Sequence, residues 1–239
     1  MSGPVALLGG REHLPGNELV DRVLLSHLDV SDPLVAVIPA ASAPRKRPQS
    51  IRLAREYWHH LGVDVRIVLP GAHDPANLEV IDGAALIVMP GGDPQRLMDE
   101  LVGTPLLEHI LARWHAGAGL SGSSAGAVAL CERRVRLRPP DPLALVAGFG
   151  VVRSAVCAPH YEMNVARRAA HIVAWRNPHL TLLAMHERTA LIILDEHKAE
   201  VAGAGSVTII RSGERTTYQV GDRIDHDLEL LDVAPSLVV

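Results

Sequence analysis

Aromatic side chains are scarce in this chain. Only 3% of its 239 residues are Phe, Trp or Tyr, and Phe149 is the single phenylalanine. We therefore expect a core of Ala, Val, Leu and Ile, which favours a sheet covered by helices over a binding module with aromatic platforms. Because 48% of the residues are hydrophobic, the chain can bury a full core, and we expect one domain over residues 1–239.

Three further absences exclude other classes of protein. Two cysteines, Cys131 and Cys157, are too few for a disulfide framework or a closed zinc site, so we expect both thiols in the core. A formal net charge of -4 argues against a nucleic-acid partner. The sequence has no basic leader and no apolar run of membrane-spanning length, so we expect a cytoplasmic protein without a membrane partner.

Apolar runs of strand type alternate with helical patterns in the first half of the chain. Strands are expected at residues 5–8, 34–38, 63–69, 84–89 and just before 124, and helices at 17–28, from about 50 to 61, at 95–101 and at 105–115. Asn17 is the expected cap of the first helix. This order predicts an α/β fold with a mostly parallel sheet and helices on both faces.

The character of the chain changes after residue 180. Short strand patterns separated by turn residues are expected at 181–185, 190–194, 200–204, 207–211 and 215–220. We interpret them as a C-terminal β-meander joined to the main sheet.

The most informative motif is Gly122-Ser123-Ser124-Ala125-Gly126-Ala127, a G-x-S-x-G pattern between an apolar run and a helical stretch. In a nucleophile elbow the serine lies on a sharp turn between strand and helix, which exposes its hydroxyl. Glycines two residues on either side of Ser124 let the two backbones approach each other. The pattern predicts that Ser124 is a nucleophile and that the Ala125 amide is an oxyanion donor.

Two glycine pairs follow predicted strands. The segment Pro90-Gly91-Gly92-Asp93 can turn the Gly92 N–H toward a pocket as the second oxyanion donor, or it is an ordinary strand-to-helix turn. The pair Gly9-Gly10 lacks the spacing of a dinucleotide fingerprint, which makes it a tight turn. No cofactor is expected.

A base and an acid are available downstream of the serine. His160 lies on a proline-stiffened turn just past the expected strand 150–156, and Glu187 lies between two terminal strands, where it can hold the His160 tautomer. Asp141 and Glu162 are the alternative acids. His186 raises the question of a metal, but no second ligand at a recognised spacing supports one, and we predict no metal site.

The order Ser124, His160, Glu187 is itself informative. In α/β-hydrolases the acid precedes the histidine. Class I glutamine amidotransferases have the histidine first, but their nucleophile is cysteine and their histidine and glutamate are nearly adjacent. The chain instead resembles the serine peptidase family of dipeptidase E (aspartyl dipeptidase) and cyanophycinase, which has the class I glutamine amidotransferase-like, flavodoxin-like fold. The matching segments are 8–12, 38–42, 90–93, 122–127, 159–161 and 187–191.

This resemblance implies a peptidase acting through an acyl-enzyme on short aspartyl or β-aspartyl peptides, with Ser124, His160 and Glu187 as the catalytic residues. Two departures bear on the substrate. Ala158-Pro159 stands where cyanophycinases have a polar Asp-Gln pair, and Asp93-Pro94 precedes Gln95 where the family often has Asn-Gln. A cyanophycinase-like exopeptidase, a binding or regulatory member and a small-molecule amidase or esterase remain alternatives.

Residues that recognise the substrate are also predicted. We call the segment that begins at Pro90 and runs through Gln95 the oxyanion loop, and we expect its Asp93 and Gln95 to bind substrate. Arg167 and Arg168, on the helix after His160, are also expected to bind substrate, because guanidinium groups suit carboxylates. The alternating arginines 134, 136 and 138 are either a second carboxylate site or a solvated basic edge. The expected partner is a short peptide, and a homodimer is left open.

Overall fold

The computed structural model describes residues 2–69, 75–136, 139, 141–225 and 230. The helices and strands in this part of the chain are, in order, β1 (Val5–Leu8), α1 (Glu18–Ser26), β2 (Leu34–Val37), α2 (Arg47–His60), β3 (Asp64–Ile67), α3 (Pro75–Gly83), β4 (Leu86–Met89), α4 (Pro94–Leu101), α5 (Pro105–His115), β5 (Gly119–Ser123), α6 (Ala125–Leu130), β6 (Cys131–Val135), β7 (Leu145–Ala147), β8 (Val152–Ala158), α7 (Asn164–Arg176), β9 (Thr181–Met185), β10 (Thr189–Ile193), β11 (Ala199–Gly203), β12 (Ser206–Arg211), β13 (Glu214–Gln219) and β14 (Arg223–Ile224).

The main sheet has a parallel centre and an antiparallel extension. Its strand order is β14-β11-β10-β1-β5-β4-β2-β3, in which the five strands from β1 to β3 pair in parallel and β10, β11 and β14 add antiparallel. The carboxyl ends of β1, β4 and β5 therefore lie side by side. Loops after these strands are where ligands collect in open parallel sheets.

Helices cover both faces of the main sheet, as predicted. Along β1, Leu7 belongs to an apolar cluster that includes residues of α4, α5 and α6, whereas Leu8 belongs to a second cluster with residues of α1 and α2. This alternation follows from the period of two in a strand, and it explains why every residue of β1 is buried. The core is mainly aliphatic, although Trp58 and Trp114 are buried in it, and both cysteines are buried within it as free thiols.

The terminal strands do not form one meander. All five are present, but β10 and β11 extend the main sheet, while β9, β12 and β13 belong to a second sheet with the order β13-β12-β9-β8-β6-β7. The interpretation of a single meander was wrong in this respect. Turn residues and strand patterns mark where strands begin and end, but the pairing partner is decided by the whole fold. After β9 the chain crosses between the two sheets three times.

Some predicted elements differ from the structure. Helix α2 begins at Arg47, earlier than expected, and α3 was not predicted. Helix α1 ends at Ser26, and the Asn17 side chain does not cap it but donates to Arg11 O. No helix in the described ranges has both the length and the apolar composition needed to span a membrane.

Candidate active site

Ser124 lies on a sharp turn between β5 and α6. Its backbone has φ 48° and ψ -102°, a conformation that non-glycine residues rarely adopt. The neighbouring glycines are sterically required, because a Cβ atom at Gly122 would lie 2.5 Å from Gly126 C and one at Gly126 would lie 2.0 Å from Met89 O. The turn therefore packs against the end of β4 and exposes the serine hydroxyl, which is the geometry expected from the motif.

A continuous chain of hydrogen bonds starts at this serine. Ser124 Oγ lies 2.9 Å from His160 Nε2, and His160 Nδ1 lies 2.9 Å from Glu187 Oε1. An ionised carboxylate only accepts hydrogen bonds, so Nδ1 carries the proton and Nε2 of the neutral ring accepts from the serine hydroxyl. Of the acids considered from the sequence, Glu187 is the one that shares a described hydrogen bond with His160.

Arg11 holds the second oxygen of Glu187. Arg11 Nε lies 2.7 Å from Glu187 Oε2, and the hydrogen bond from Arg11 is the main cause that lowers the pKa of Glu187 below its ordinary value; the hydrogen bond from His160 acts in the same direction. Glu162 Oε2 accepts from the Glu187 backbone N–H at 3.1 Å, so this alternative acid supports the turn that carries Glu187. Asp141 lies before β7, and its backbone carbonyl accepts a hydrogen bond from the N–H of Ala144.

The loop after β4 lies against Ser124. A Cβ atom at Gly92 would be 2.2 Å from Ala41 O, so glycine is required there, and one at Gly91 would make a tight 3.3 Å contact with Ser124 Cβ. Gly91 N donates to Glu12 Oε1 at 2.7 Å, and Asp93 N donates to Ala41 O at 2.9 Å. Within the described residues, neither the Gly92 N–H nor the Ala125 N–H has a protein acceptor.

Asp93 and Gln95 already have protein partners. The Asp93 carboxylate caps α4 by accepting from the N–H groups of Gln95 and Arg96, at 2.9 and 3.4 Å. Gln95 accepts from Arg134 Nη2 at 2.8 Å and donates to Asp99 at 2.8 Å. Their contribution to substrate binding remains a prediction.

The predicted arginines have different environments. Arg167 and Arg168 are exposed on α7, and Arg167 donates to Asn164 Oδ1 at 2.7 Å. Arg134 is only 7% exposed and donates to Ala147 O, so the solvated-edge interpretation is wrong for this residue. Arg136 directly follows β6 and is half-buried, and Arg138 lies outside the described residues.

An open cleft of about 660 Å³ borders the oxyanion loop. Its lining includes Gly91, Gly92 and Asp93 together with four charged side chains, Arg11, Glu12, Lys46 and Arg96. Arg11 is paired with Glu187, and Glu12 accepts from the Gly91 N–H. In contrast, no described side-chain hydrogen bond or ion pair involves Lys46 or Arg96, and Arg96 Nε is buried without a partner. Lys46 and Arg96 are therefore two cations of the cleft without a described side-chain partner, and Glu12 and Asp93 are the acidic residues of the same lining.

Sequence reasoning missed Arg11 and Glu12. It treated Gly9-Gly10 as a tight turn, and the two charged residues directly after it received no role. A charged pair that follows a glycine turn at the carboxyl end of a buried strand is the pattern that points to them.

One cluster of metal-ligating atoms is found in the described part of the chain. Atoms of His160, Glu162 and Glu187 lie within 4.8 Å of one another. Each residue is already used, since His160 faces Ser124 and Glu187, and Glu162 accepts from Glu187 N. His186 is not part of the cluster. A metal here would compete with the Ser124–His160–Glu187 chain for the same lone pairs.

Comparisons with known proteins point in one direction. The sequence model described as peptidase family S51 matches residues 5–201. A cyanophycinase from Geminocystis herdmanii (strain PCC 6308) is 29% identical over 231 residues, which cover 90% of this chain and 82% of that protein. A cyanophycinase from Synechococcus elongatus is 28% identical over 223 residues, covering 87% of this chain and 68% of that protein.

Solved structures agree with the architecture. The crystal structure of a peptidase from an acI-B1 Actinobacterium superposes with a TM-score of 0.83 and 26% sequence identity, covering 94% of this chain and 97% of that one. A putative peptidase E protein from Listeria monocytogenes EGD-e superposes with a TM-score of 0.65 and 16% identity over 92% of this chain and 100% of that one, which shows a shared fold.

Proposed function

Because the chain belongs to peptidase family S51, we propose that it is a serine peptidase that hydrolyses short aspartyl or β-aspartyl peptides. In this proposal Ser124 is the nucleophile, His160 the general base and Glu187 the acid that orients His160. The observation that carries the proposal is the pair of 2.9 Å hydrogen bonds that joins these three side chains in series.

The first half of the reaction forms an acyl-enzyme. Ser124 Oγ attacks the peptide carbonyl carbon while its proton passes to His160 Nε2, and the carbonyl electron pair moves onto the oxygen. The N–H groups of Gly92 and Ala125 stabilise this oxyanion. When the tetrahedral intermediate collapses, the C–N bond breaks and the leaving amine takes the proton from His160.

The second half restores the enzyme. A water molecule gives a proton to His160 Nε2 and attacks the acyl carbon, and the second tetrahedral intermediate expels Ser124 Oγ, which recovers its proton. Glu187 stabilises the imidazolium in both halves, and Arg11 supports this role because it keeps the carboxylate ionised.

The acidic substrate class has two sources of support. One is the family resemblance to aspartyl dipeptidase. The other is the cleft beside the oxyanion loop, where the half-buried Arg96 and the exposed Lys46 have no described side-chain partner. A cation in such a position can bind a substrate carboxylate. Arg167 and Arg168 remain the alternative carboxylate-binding pair.

A second candidate is a cyanophycinase-like exopeptidase. The curated relatives favour it, since two of them at 28–29% identity are cyanophycinases. The Ala158-Pro159 segment before His160 favours the dipeptidase, because it lacks the polar pair that cyanophycinases usually carry there.

The proposal is tested by labelling and substrate profiling. Wild-type protein and Ser124→Ala are treated with a fluorophosphonate, and intact mass is measured. We expect one adduct on the wild type and none on the variant. The same proteins are then assayed with α-aspartyl, β-aspartyl and neutral dipeptides, cyanophycin and simple esters. Absence of both adduct and turnover identifies a binding or regulatory member, and turnover of esters alone identifies an esterase.

A further inference from the structure

The loop after β1, residues 9–16, contacts His160, Glu187 and the residues that directly precede Ser124 and Gly92. Its Gly9 carbonyl accepts the His160 N–H at 3.0 Å, and a Cβ atom at Gly10 would lie 2.4 Å from His160 Cε1. Arg11 binds Glu187, and Glu12 reaches the oxyanion loop and the nucleophile turn. We call residues 9–16 the β1 loop.

Glu12 joins two segments that are far apart in sequence. One carboxylate oxygen accepts from the Gly91 N–H at 2.7 Å, and the other accepts from Ser123 Oγ at 2.5 Å. Ser123 directly precedes the nucleophile, and Gly91 directly precedes the predicted oxyanion donor Gly92. A single half-buried side chain thus sets the distance between the two segments.

These contacts fix the Gly92 amide from both sides. The Gly91 N–H is held by Glu12, and the Asp93 N–H is held by Ala41 O at 2.9 Å. The Gly92 N–H between them has no protein acceptor among the described residues. An oxyanion donor needs this combination, because it must be rigid and yet free to bind the developing charge.

The β1 loop is rigid enough to serve as an anchor. The non-glycine residues Arg11 and His13 have positive φ values of 68° and 55°, which persist only where surrounding contacts impose them. Below the loop, the buried His13 Nε2 accepts from Trp58 Nε1 at 3.2 Å, and the Asn17 side chain donates to Arg11 O. Gly10 O also accepts the Arg188 N–H at 3.0 Å.

From these contacts we propose that Glu12 is a positioning residue, which holds the oxyanion loop in register with Ser124. This inference rests on the proposed peptidase function. Glu12 acts through Gly91 and Ser123, whose hydrogen-bonding groups it fixes. Removing it lets the Gly92 N–H move away from the oxyanion, so the transition state loses stabilisation while substrate binding is retained.

The test compares Glu12→Ala with Glu12→Gln. A glutamine can still accept from the Gly91 N–H and can donate to Ser123 Oγ, whereas alanine loses both contacts. We expect Glu12→Ala to lower kcat by about 10- to 100-fold with little change in KM. Glu12→Gln should remain within about threefold of the wild type. A peptide aldehyde, whose adduct with Ser124 carries an oxyanion, should lose affinity for Glu12→Ala in parallel with kcat.

Controls separate positioning from general loss of structure. Glu18→Ala removes another carboxylate bond to the same loop, at the Gly16 N–H and 2.7 Å long, but does not contact the site, so kcat should be unchanged. Thermal unfolding midpoints of all variants are measured. Equal kcat for Glu12→Ala and the wild type would overturn the inference. So would a rise in KM confined to peptides with a free amino terminus, since Glu12 would then bind the substrate ammonium.

Failure of the proposed function gives a different result. If the wild type reacts with neither the fluorophosphonate nor any peptide, the peptidase proposal itself fails. If the wild type reacts and Glu12→Ala reacts at the same rate, the peptidase proposal stands and the role of Glu12 is rejected.

Discussion

Ser124 and His160 both adopt positive φ, 48° and 55°, and their side chains meet at 2.9 Å. Two consecutive carbonyls hold them there, because the Ser124 N–H donates to Leu8 O and the His160 N–H donates to Gly9 O, both at 3.0 Å. Such conformations cost about 1–3 kcal/mol each and persist where the surroundings over-determine them. The carboxyl end of β1 therefore holds Ser124 next to His160.

The first prediction concerns Ser124 and His160 as a unit. Ser124→Ala should abolish turnover with little change in the thermal unfolding midpoint, and the double change with His160→Ala should cost about as much as either change alone. Ser123→Ala should keep substantial activity, because Gly91 remains bound to Glu12. Steady-state kinetics of the wild type and the four variants test this prediction. Additive losses would make His160 a substrate-binding residue, and equal losses at Ser123 and Ser124 would reject the elbow.

The second prediction concerns Glu187. Glu187→Gln should leave the fold intact and lower turnover by about 10⁴-fold, as loss of the tautomer-fixing acid does in related triads. Glu162→Gln and Asp141→Asn are the matched controls, measured by kcat and by the unfolding midpoint. A mild effect at Glu187 with a severe one at Glu162 or Asp141 would mean that this other acid, and not Glu187, orients His160.

The third prediction concerns recognition of acidic substrates. Lys46→Met and Arg96→Met should raise KM for aspartyl peptides far more than for neutral ones, because each removes a cation from the cleft. Arg167→Met and Arg168→Met should do the same if the pair on α7 binds the carboxylate. Arg55→Met, which changes an exposed arginine of α2, is the control. Equal effects on both peptide classes would exclude the substituted residue from specificity, and rates of fluorophosphonate labelling should stay unchanged throughout.

The fourth prediction concerns Asp21, which is buried below the β1 loop. Burial raises the pKa of Asp21 from 3.8 to about 7, although the hydrogen bond from the Tyr57 hydroxyl partly opposes this shift. Between these two values the folded protein retains a proton that the unfolded chain releases, so the free energy of unfolding falls as pH rises from about 4 to about 7. Asp21→Asn should flatten this decline and increase stability at pH 7.

Urea unfolding across this pH range measures the effect. Asp29→Asn, at an exposed aspartate after α1, should reproduce the wild-type slope. An unchanged slope for Asp21→Asn would mean that Asp21 does not carry the proton.

The parallel half of the fold follows from local pattern. Buried strands such as β1 and β4 are short apolar runs followed by turn or helix-start residues, and α5 matches its predicted bounds of Pro105 and His115. The nucleophile elbow could also be predicted from the sequence, because Gly122 and Gly126 are required by backbone contacts close to Ser124. These features depend on the spacing of apolar side chains and on steric fit between residues close in sequence, so local pattern is enough to predict them.

The sequence by itself thus determined most of the helices and strands, the mainly aliphatic core and the candidates Ser124, His160 and Glu187. Only the tertiary structure decided that β9 and β10 enter different sheets, that Glu187 is the acid hydrogen-bonded to His160, and that Arg11 and Glu12 contact the site. The contact between Arg11 and Glu187 joins residues 176 positions apart. Such contacts form only when the ends of β1, β5, β8 and β10 lie close together in the folded chain. No pattern of neighbouring residues predicts that arrangement.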